Sequence, residues 1–338
     1  ESQAILEDFL RHGHTPADSF ETAEVCVLNT CTVTHQADKD VEKQIRQILH
    51  RNPQARLVLT GCYAAAHQTH IKTLFPQAEI VGKYNLGRAL FNEEDLCWTV
   101  SGHEGHSRAF IKIQDGCDCF CSYCIVPFAR PDKRSKPAPD VLKEITALVE
   151  KGFAEVVLTG INIGNYACPQ TGADLALLCR QIAALPGHFR VRFSSIELQT
   201  VADGVVDLMA ARPDRFCNYF HLPLQAGCDS VLKAMNRHYD TAAYRARVED
   251  LRARVPGISV FADVIAGFPT ETEADFETTY QFIKSVGLCG LHVFSYSPRP
   301  GTKAAAWPQL AHEEIKRRSD ALRALDKELR TRFAASLV

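Results

Sequence analysis

The sequence predicts an α/β protein in two parts, a Rossmann-like parallel-sheet unit followed by a partial (β/α)6 barrel. Three observations carry that expectation. Short aliphatic runs alternate with longer runs of helical period along the whole chain, and alternation of this kind builds parallel sheets with helices on their faces. At 338 residues the chain exceeds what one small core organises. A polar stretch, VSGHEGHS (100–107), separates three strand-like runs from six.

The elements follow in order. ESQAILEDFLRHG spaces apolar residues at helical intervals and ends in Gly13. AEVCVLNT (23–30) reads as a strand, and 37–53 as an amphipathic helix stopped by Pro53. ARLVLTGC (55–62) is a second strand, followed by a helix to about Leu74 and a third strand, AEIVGK. Ligands gather at the carboxyl ends of strands in such sheets, where NTC (29–31) and TGC (60–62) lie. Beyond the linker the strand candidates are 108–114, 154–160, 189–195, 219–224, 258–265 and 290–296. Helices are expected near 139–151, 172–185, 201–212, 229–237, 240–254 and 271–287. Six βα units place the chemistry at the C-terminal ends of barrel strands. Residues 311–335 form a last helix rich in both signs of charge, which reads as a solvated face or an RNA contact. The expected division is 1–99, 107–310 and 311–338.

Composition narrows the function. A formal charge of −2 is not that of a protein coating nucleic acid, so any RNA site must be a local basic patch. No apolar run approaches the roughly 18–20 residues that span a bilayer, and no leader precedes the first helix, which argues for the cytoplasm and against a membrane partner. Thirteen cysteines in a chain of this kind point to metal or redox chemistry rather than disulfides. Cys97, Cys168, Cys179, Cys217, Cys228 and Cys289 are scattered singly and read as small buried hydrophobes.

The exception is GCDCFCSYC (116–124). Cys117, Cys121 and Cys124 form C-x3-C-x2-C directly after the first barrel strand. Three thiolates in one loop can hold three irons of a [4Fe–4S] cluster and leave the fourth open to a ligand. The rival is a zinc site with Cys119 as fourth ligand; structural zinc usually pairs two separated C-x2-C knuckles, and no second one follows.

With Tyr123 before its last cysteine, this loop resembles that of the radical S-adenosylmethionine (SAM) superfamily. The blocks IQDGCDCFCSYCIVPFAR, LTGINIGNY, RFSSIE, HLPLQAGCDSVLKAMNRHY, DVIAGFPTET and HVFSYSPRPGT, with NTCTVTHQAD and LTGCY before them, resemble in order those of the methylthiotransferases, over nearly the whole chain. The resemblance implies two [4Fe–4S] clusters and SAM as cofactors. Cys117, Cys121 and Cys124 would carry the first cluster, while Cys31 and Cys62 match two of three ligands of an auxiliary one. The third would lie upstream of residue 1; Cys26 is a poor substitute, because five strand residues place it about 16 Å from Cys31 and on the opposite face. The resemblance also implies that Tyr123, Thr159, Gly160, Ser194, Ser195, Gln225, Ile265 and Gly267 surround SAM. Arg130, Lys133, Arg134, Lys136 and Arg299 become candidates for RNA, the first four as a basic loop beside the catalytic mouth.

The residues after NTC most resemble the branch acting on threonylcarbamoyladenosine beside the tRNA anticodon. The branches for isopentenyl-adenosine and for a ribosomal-protein aspartate remain alternatives, as does a radical SAM enzyme for a small molecule. The implied partners are a tRNA anticodon stem-loop and an electron donor such as flavodoxin or ferredoxin, with the sulfur donor unassigned. Members commonly end in a TRAM domain, which this chain, stopping at FAASLV, is expected to lack.

Overall fold

Leu57 to Thr60 are four consecutive buried residues, the pattern of a strand covered on both faces. In the computed structural model, which describes residues 1–93, 99–102, 105 and 107–337, they form the middle of a parallel sheet. Its strands are β1 (Val25–Thr30), β2 (Arg56–Thr60) and β3 (Glu79–Ile80), in that spatial order. Val27 lies opposite Val58 and Asn29 opposite Thr60. Helix His35–Arg51 sets Val41, Ile45 and Ile48 against Leu57 and Leu59 on one face. Ile5 of helix Ser2–Arg11 joins Val58 and Leu86 on the other. Helix His35–Arg51 begins earlier than its apolar period suggests because the Thr34 hydroxyl accepts from the Ala37 amide. The helix expected after TGC is two, Gly61–Ala66 and Gln68–Leu74, divided at His67. Cys26 packs among the core residues of this sheet.

The second sheet comprises β4 (Arg108–Lys112), β7 (Glu155–Thr159), β8 (Arg190–Phe193), β9 (Tyr219–His221), β10 (Ser259–Ala266) and β11 (Gly290–Ser295). Between β4 and β7 lies a short antiparallel pair, β5 (Gln114–Asp115) and β6 (Arg134–Ser135), which brackets the cysteine loop. The order β4-β7-β8 continues into β9-β10-β11 through the bridges Val191↔Phe216 and Ser195↔His221. β4 and β11 are the edges, so the barrel is partial. Along β10 burial alternates strictly: Val260, Ala262, Val264 and Ala266 join the helix-side core, leaving Phe261, Asp263 and Ile265 toward the lumen. On β4, Ala109 and Ile111 pack with Val141 and Ile145 while Phe110 and Lys112 take the other face.

Helix signals held where caps are strong. Asp174, Asp240 and Thr272 each accept from a first-turn amide, and Gly287 ends Glu273–Val286 with φ +79°. The expected helix over 229–237 stops at Ala234, with Asn236 left-handed at φ +59°. The expected strand over 219–224 stops at His221, before Pro223 and the left-handed Gln225 at φ +68°. Helix His312–Ala335 lays Leu322, Leu325 and Leu329 on the barrel core. Its cations mostly pair within the molecule, Arg318 with Glu271 and Arg330 with Asp326 among them. The linker's residues 103, 104 and 106, and Cys97, lie outside the described residues. Among the described residues no helix is long and apolar enough to cross a membrane.

Candidate metal centre

The cysteine loop leaves β5 through Gly116, whose φ of +80° and closeness to Asp132 exclude a side chain: a Cβ would sit 2.1 Å from the Asp132 carbonyl oxygen. That closure lets the Cys117 amide donate to the Arg130 carbonyl at 3.3 Å, pinning the two ends of the loop together. The segment after helix Asp229–Ala234 grips the middle. The Ser122 amide donates to the Met235 carbonyl (3.0 Å), the Ser122 hydroxyl to that of Ala234 (2.8 Å), and the Asn236 amide group to that of Phe120 (3.1 Å). Phe120 is held left-handed at φ +45°. Cys117, Cys121 and Cys124 are free and half-buried.

Their environments differ. Burial pushes the Cys124 thiol up to about 12. Burial also raises Cys121, against the pull of Arg237. Cys117 is lowered by a hydrogen bond from Cys119, whose own thiol that bond pushes far up. The Cys119 backbone amide donates to Cys117 Sγ at 3.5 Å, and its own sulfur lies 3.9 Å from the Asn162 side-chain nitrogen. Three half-buried thiols in a pinned loop suit a thiophilic metal, whose binding displaces their protons. This donor set fits a [4Fe–4S] cluster held by three ligands.

Arg237 is the residue that sequence reading missed. Its guanidinium, 4 % exposed, meets Cys121 Sγ at 3.4 Å, Glu197 through both nitrogens, and the Tyr239 hydroxyl at 3.1 Å. A cation inside a signature block is the only hint the sequence offered, since Cys121 is 116 positions away.

The SAM candidates lie at the ends of several strands and have different neighbours. Ser194 Oγ is buried without a hydrogen-bond partner, the state of a hydroxyl that a polar ligand would satisfy. Ser195 bridges to His221, and the Gln225 amide donates to the Asp263 carbonyl at 2.8 Å. Tyr123 and Ile265 pack against one small cluster around Phe268. Ile315 occupies the space a Cβ of Gly267 would need, 2.7 Å away, so this glycine answers to the last helix as well. Thr159 and Gly160 line a cavity of about 290 Å³ with Lys112 and Arg130 on the barrel side and Asn29 and Thr60 on the sheet side. In the lumen His221, Asp263 and His292 converge, the Asp263 carboxylate lying 2.7 Å from His221 Nε2 and 3.3 Å from His292 Nδ1.

The other two candidate ligands leave neighbouring strand ends. Thr30 bridges Gly61, so Cys31 and Cys62 follow side by side. Gly61 (φ +90°) is forced there, because a Cβ would lie 2.4 Å from the Thr30 carbonyl oxygen. Cys31 is exposed and Cys62 half-buried. Arg130 donates from Nε to Cys62 Sγ at 3.0 Å and from Nη1 to Asp115 at 2.8 Å, joining the two cysteine sites. Asp115, its side chain 1 % exposed, is ringed by Lys83, Lys112, Arg130 and the Tyr84 hydroxyl. Burial alone would raise its carboxyl; Lys112, Lys83 and Arg130 outweigh that and hold it well below the usual range.

The basic candidates divide. Lys133 and Arg134 are exposed, the first paired with Asp118 and the second stacked 3.8 Å from the Tyr84 ring centroid. Lys136 is buried against Glu144. Arg299 is 4 % exposed and donates to Asp38 at 2.6 Å and to the Thr32 carbonyl at 3.2 Å. The RNA expectation for Arg299 is therefore corrected: its guanidinium is spent tying the barrel to the first sheet. The isolated cysteines Cys168, Cys179, Cys217 and Cys289 are buried as expected, whereas Cys228 is half-buried and hydrogen-bonded to Asp275.

A partial α/β barrel with three free thiols in the loop after its first strand is the architecture of a radical SAM enzyme. Comparison with known proteins agrees. The radical SAM superfamily model matches residues 111–283, and that of the uncharacterized protein family UPF0004 matches 1–82. The threonylcarbamoyladenosine tRNA methylthiotransferase MtaB of Bacillus subtilis is 36% identical over 99% of this chain and 79% of its own length. The tRNA-2-methylthio-N(6)-dimethylallyladenosine synthase of Endomicrobium trichonymphae is 34% identical over 94% and 78%. Among solved structures, the radical SAM methyltransferase TsrM of Kitasatospora setae, with cobalamin and a [4Fe–4S] cluster bound, superposes with a TM-score of 0.60 at 14% identity, over 90% of this chain and 68% of that one, a likeness of fold. The chain belongs to the radical SAM methylthiotransferases.

Proposed function

We propose that this protein methylthiolates tRNA, replacing the hydrogen on carbon 2 of N6-threonylcarbamoyladenosine beside the anticodon with a methylthio group. The observation that carries the reading is the pairing of two cysteine sites across one interface, Cys62 and the Cys117–Cys124 loop being linked by Arg130. A radical SAM enzyme for a small molecule has no evident use for Cys31 and Cys62. The relatives named for threonylcarbamoyladenosine, at 36% identity in Bacillus subtilis and 33% in Thermotoga maritima, support the branch. The Endomicrobium trichonymphae relative, at 34%, supports the dimethylallyl-adenosine branch as the second reading.

Cys117, Cys121 and Cys124 would hold a [4Fe–4S] cluster, which would supply the electron for reductive cleavage of SAM. The side chains around it have positioning work. Ser194, Ser195, Gln225, Thr159 and Gly160 would meet the polar end of SAM, and Tyr123 with Ile265 and Gly267 would lie against its adenine. Cys31 and Cys62 contribute two thiolates to a second iron–sulfur group. Arg130 neutralises charge between the two sites, and exposed Lys133 and Arg134 meet the phosphates of an anticodon stem-loop, whose unpaired bases are readily extruded. The reading includes a cytoplasmic setting, flavodoxin or ferredoxin as electron donor, and working units at 1–99, 107–310 and 311–338.

Mass spectrometry of tRNA nucleosides from a deletion strain tests it. Loss of 2-methylthio-N6-threonylcarbamoyladenosine, restored by the gene, is the expected result; loss of the dimethylallyl derivative instead would move the protein to the second branch.

A further inference from the structure

The barrel opens between its edge strands, and β11 keeps two rings bare on the inner side. Along this strand Gly290 and Leu291 are buried while His292 and Phe294 are exposed. Leu291 and Val293 pack on the helix-side core, so His292 and Phe294 face the lumen. Register agrees: His292 is the partner of Asp263 and Phe294 of Ile265, and residues paired in a parallel ladder share a face. Face and register belong to the backbone and hold whatever fills the lumen. Phe294 is 47 % exposed, and the His292 side chain 45 %. Helix His312–Ala335 closes the free edge of β11, where Asp326 accepts from the Leu291 amide at 2.6 Å and Arg330 donates to the Leu291 carbonyl at 3.0 Å. The helix thus stands where a further strand would pair, yet it leaves both rings uncovered. On β4, the other edge, Phe110 is also exposed on the lumen side.

We propose that the lumen face of β11 receives the target adenine, with Phe294 stacking on the base and His292 binding the carboxylate of its N6 substituent; this rests on the proposed tRNA reaction. Proteins hold an unpaired base largely through its π face, and phenylalanine is among the side chains that stack on it. Phe294 is placed for this because Ile265, its register partner, belongs to the wall assigned to the adenine of SAM, so the platform continues the candidate site. His292 precedes Phe294 by two residues on the same face, about 7 Å deeper in the barrel. An extended threonylcarbamoyl group carries its carboxylate roughly 6 Å beyond N6, a matching reach. An imidazole N–H can donate to that carboxylate. A dimethylallyl group offers it no polar atom. His292 is then the residue that separates the two branches, whereas Phe294 serves either.

The test is fluorescence anisotropy of labelled anticodon stem-loops with the full chain, reconstituted with iron and sulfide and supplied with SAM. Three stem-loops differ only beside the anticodon, carrying threonylcarbamoyladenosine, dimethylallyladenosine or adenosine. Phe294→Leu should weaken all three by about tenfold, the loss of one base–aromatic stack, and Phe294→Tyr should restore the affinity. His292→Leu should weaken the threonylcarbamoyl stem-loop alone, by about tenfold. Unchanged affinities in Phe294→Leu, or an equal loss across the three in His292→Leu, overturn the proposal. If Phe294→Leu does not fold, His292→Leu decides by the same criterion. A parent that binds the dimethylallyl stem-loop best would overturn the threonylcarbamoyl branch and the role of His292, and Phe294→Leu would then judge the platform. A parent that binds none of the three would overturn the proposed function and this inference with it.

Discussion

Cys119 stands among three candidate ligands, and its surroundings set it apart from them. Its contact to Cys117 Sγ is made by its backbone amide, at 3.5 Å, and its own sulfur lies by Asn162, so replacing its side chain should leave the metal site intact. Cys119→Ser is expected to retain the iron content of the parent, whereas Cys121→Ala should lose the cluster absorbance and all SAM cleavage. Cys62→Ala should keep SAM cleavage and lose thiolation if its sulfur serves the second site proposed above; equal loss of both activities would contradict that separation. Asp115 carries a pH prediction. Its carboxyl lies below its unfolded value of about 3.9, so it contributes stability above that pH, which is lost as pH falls toward the folded value. Asp115→Asn should be less stable at neutral pH by roughly 2 kcal/mol, since Lys83, Lys112 and Arg130 lose one of the two carboxylates they share and keep Glu1. Its urea midpoint should then fall less than the parent's between pH 5 and pH 3.

At the scale of elements, the ends of β1 and β2 decide where two candidate ligands emerge. Gly61→Ala would force a Cβ against the Thr30 carbonyl in a backbone conformation that L-residues seldom adopt. A loss of roughly 1–3 kcal/mol is expected by urea denaturation, and the register that sets Cys62 beside Cys31 should suffer with it. The strands themselves were legible because burial leaves a mark in composition: four apolar or small residues in a row at β2, strict alternation at β10. Element ends were legible where a side chain caps them, as at Asp174 and Thr272. They were illegible at Ala234, where the chain turns to grip a loop more than a hundred positions earlier, and at His221, where a left-handed glutamine follows. Local propensity carries no record of such partners.

At the scale of the whole molecule the same division holds. The cysteine spacing is a local pattern and could be read; the ion pairs that bring the two halves together could not. Arg299 and Asp38 are 261 positions apart, and an arginine in SPRPGT looks the same in sequence whether it meets RNA or a buried aspartate. The two roles make opposite predictions. An arginine on a tRNA phosphate can be lost without changing the melting temperature, while the slope of log affinity against log salt falls by about 1. An arginine buried in an interface leaves an unpaired carboxylate when removed, which costs about 3–5 kcal/mol. The structure supports the second role: the pair is buried, and the neighbouring Ser297 hydroxyl accepts from the His35 amide at 3.1 Å across the same seam. Arg299→Met should therefore lower the melting temperature by several degrees and leave the salt slope of tRNA binding unchanged. Asp38→Asn should reproduce the thermal loss, which no RNA contact by Arg299 would explain. A stable Arg299→Met protein with a reduced salt slope would return this residue to the RNA face and leave the seam to be held by other contacts.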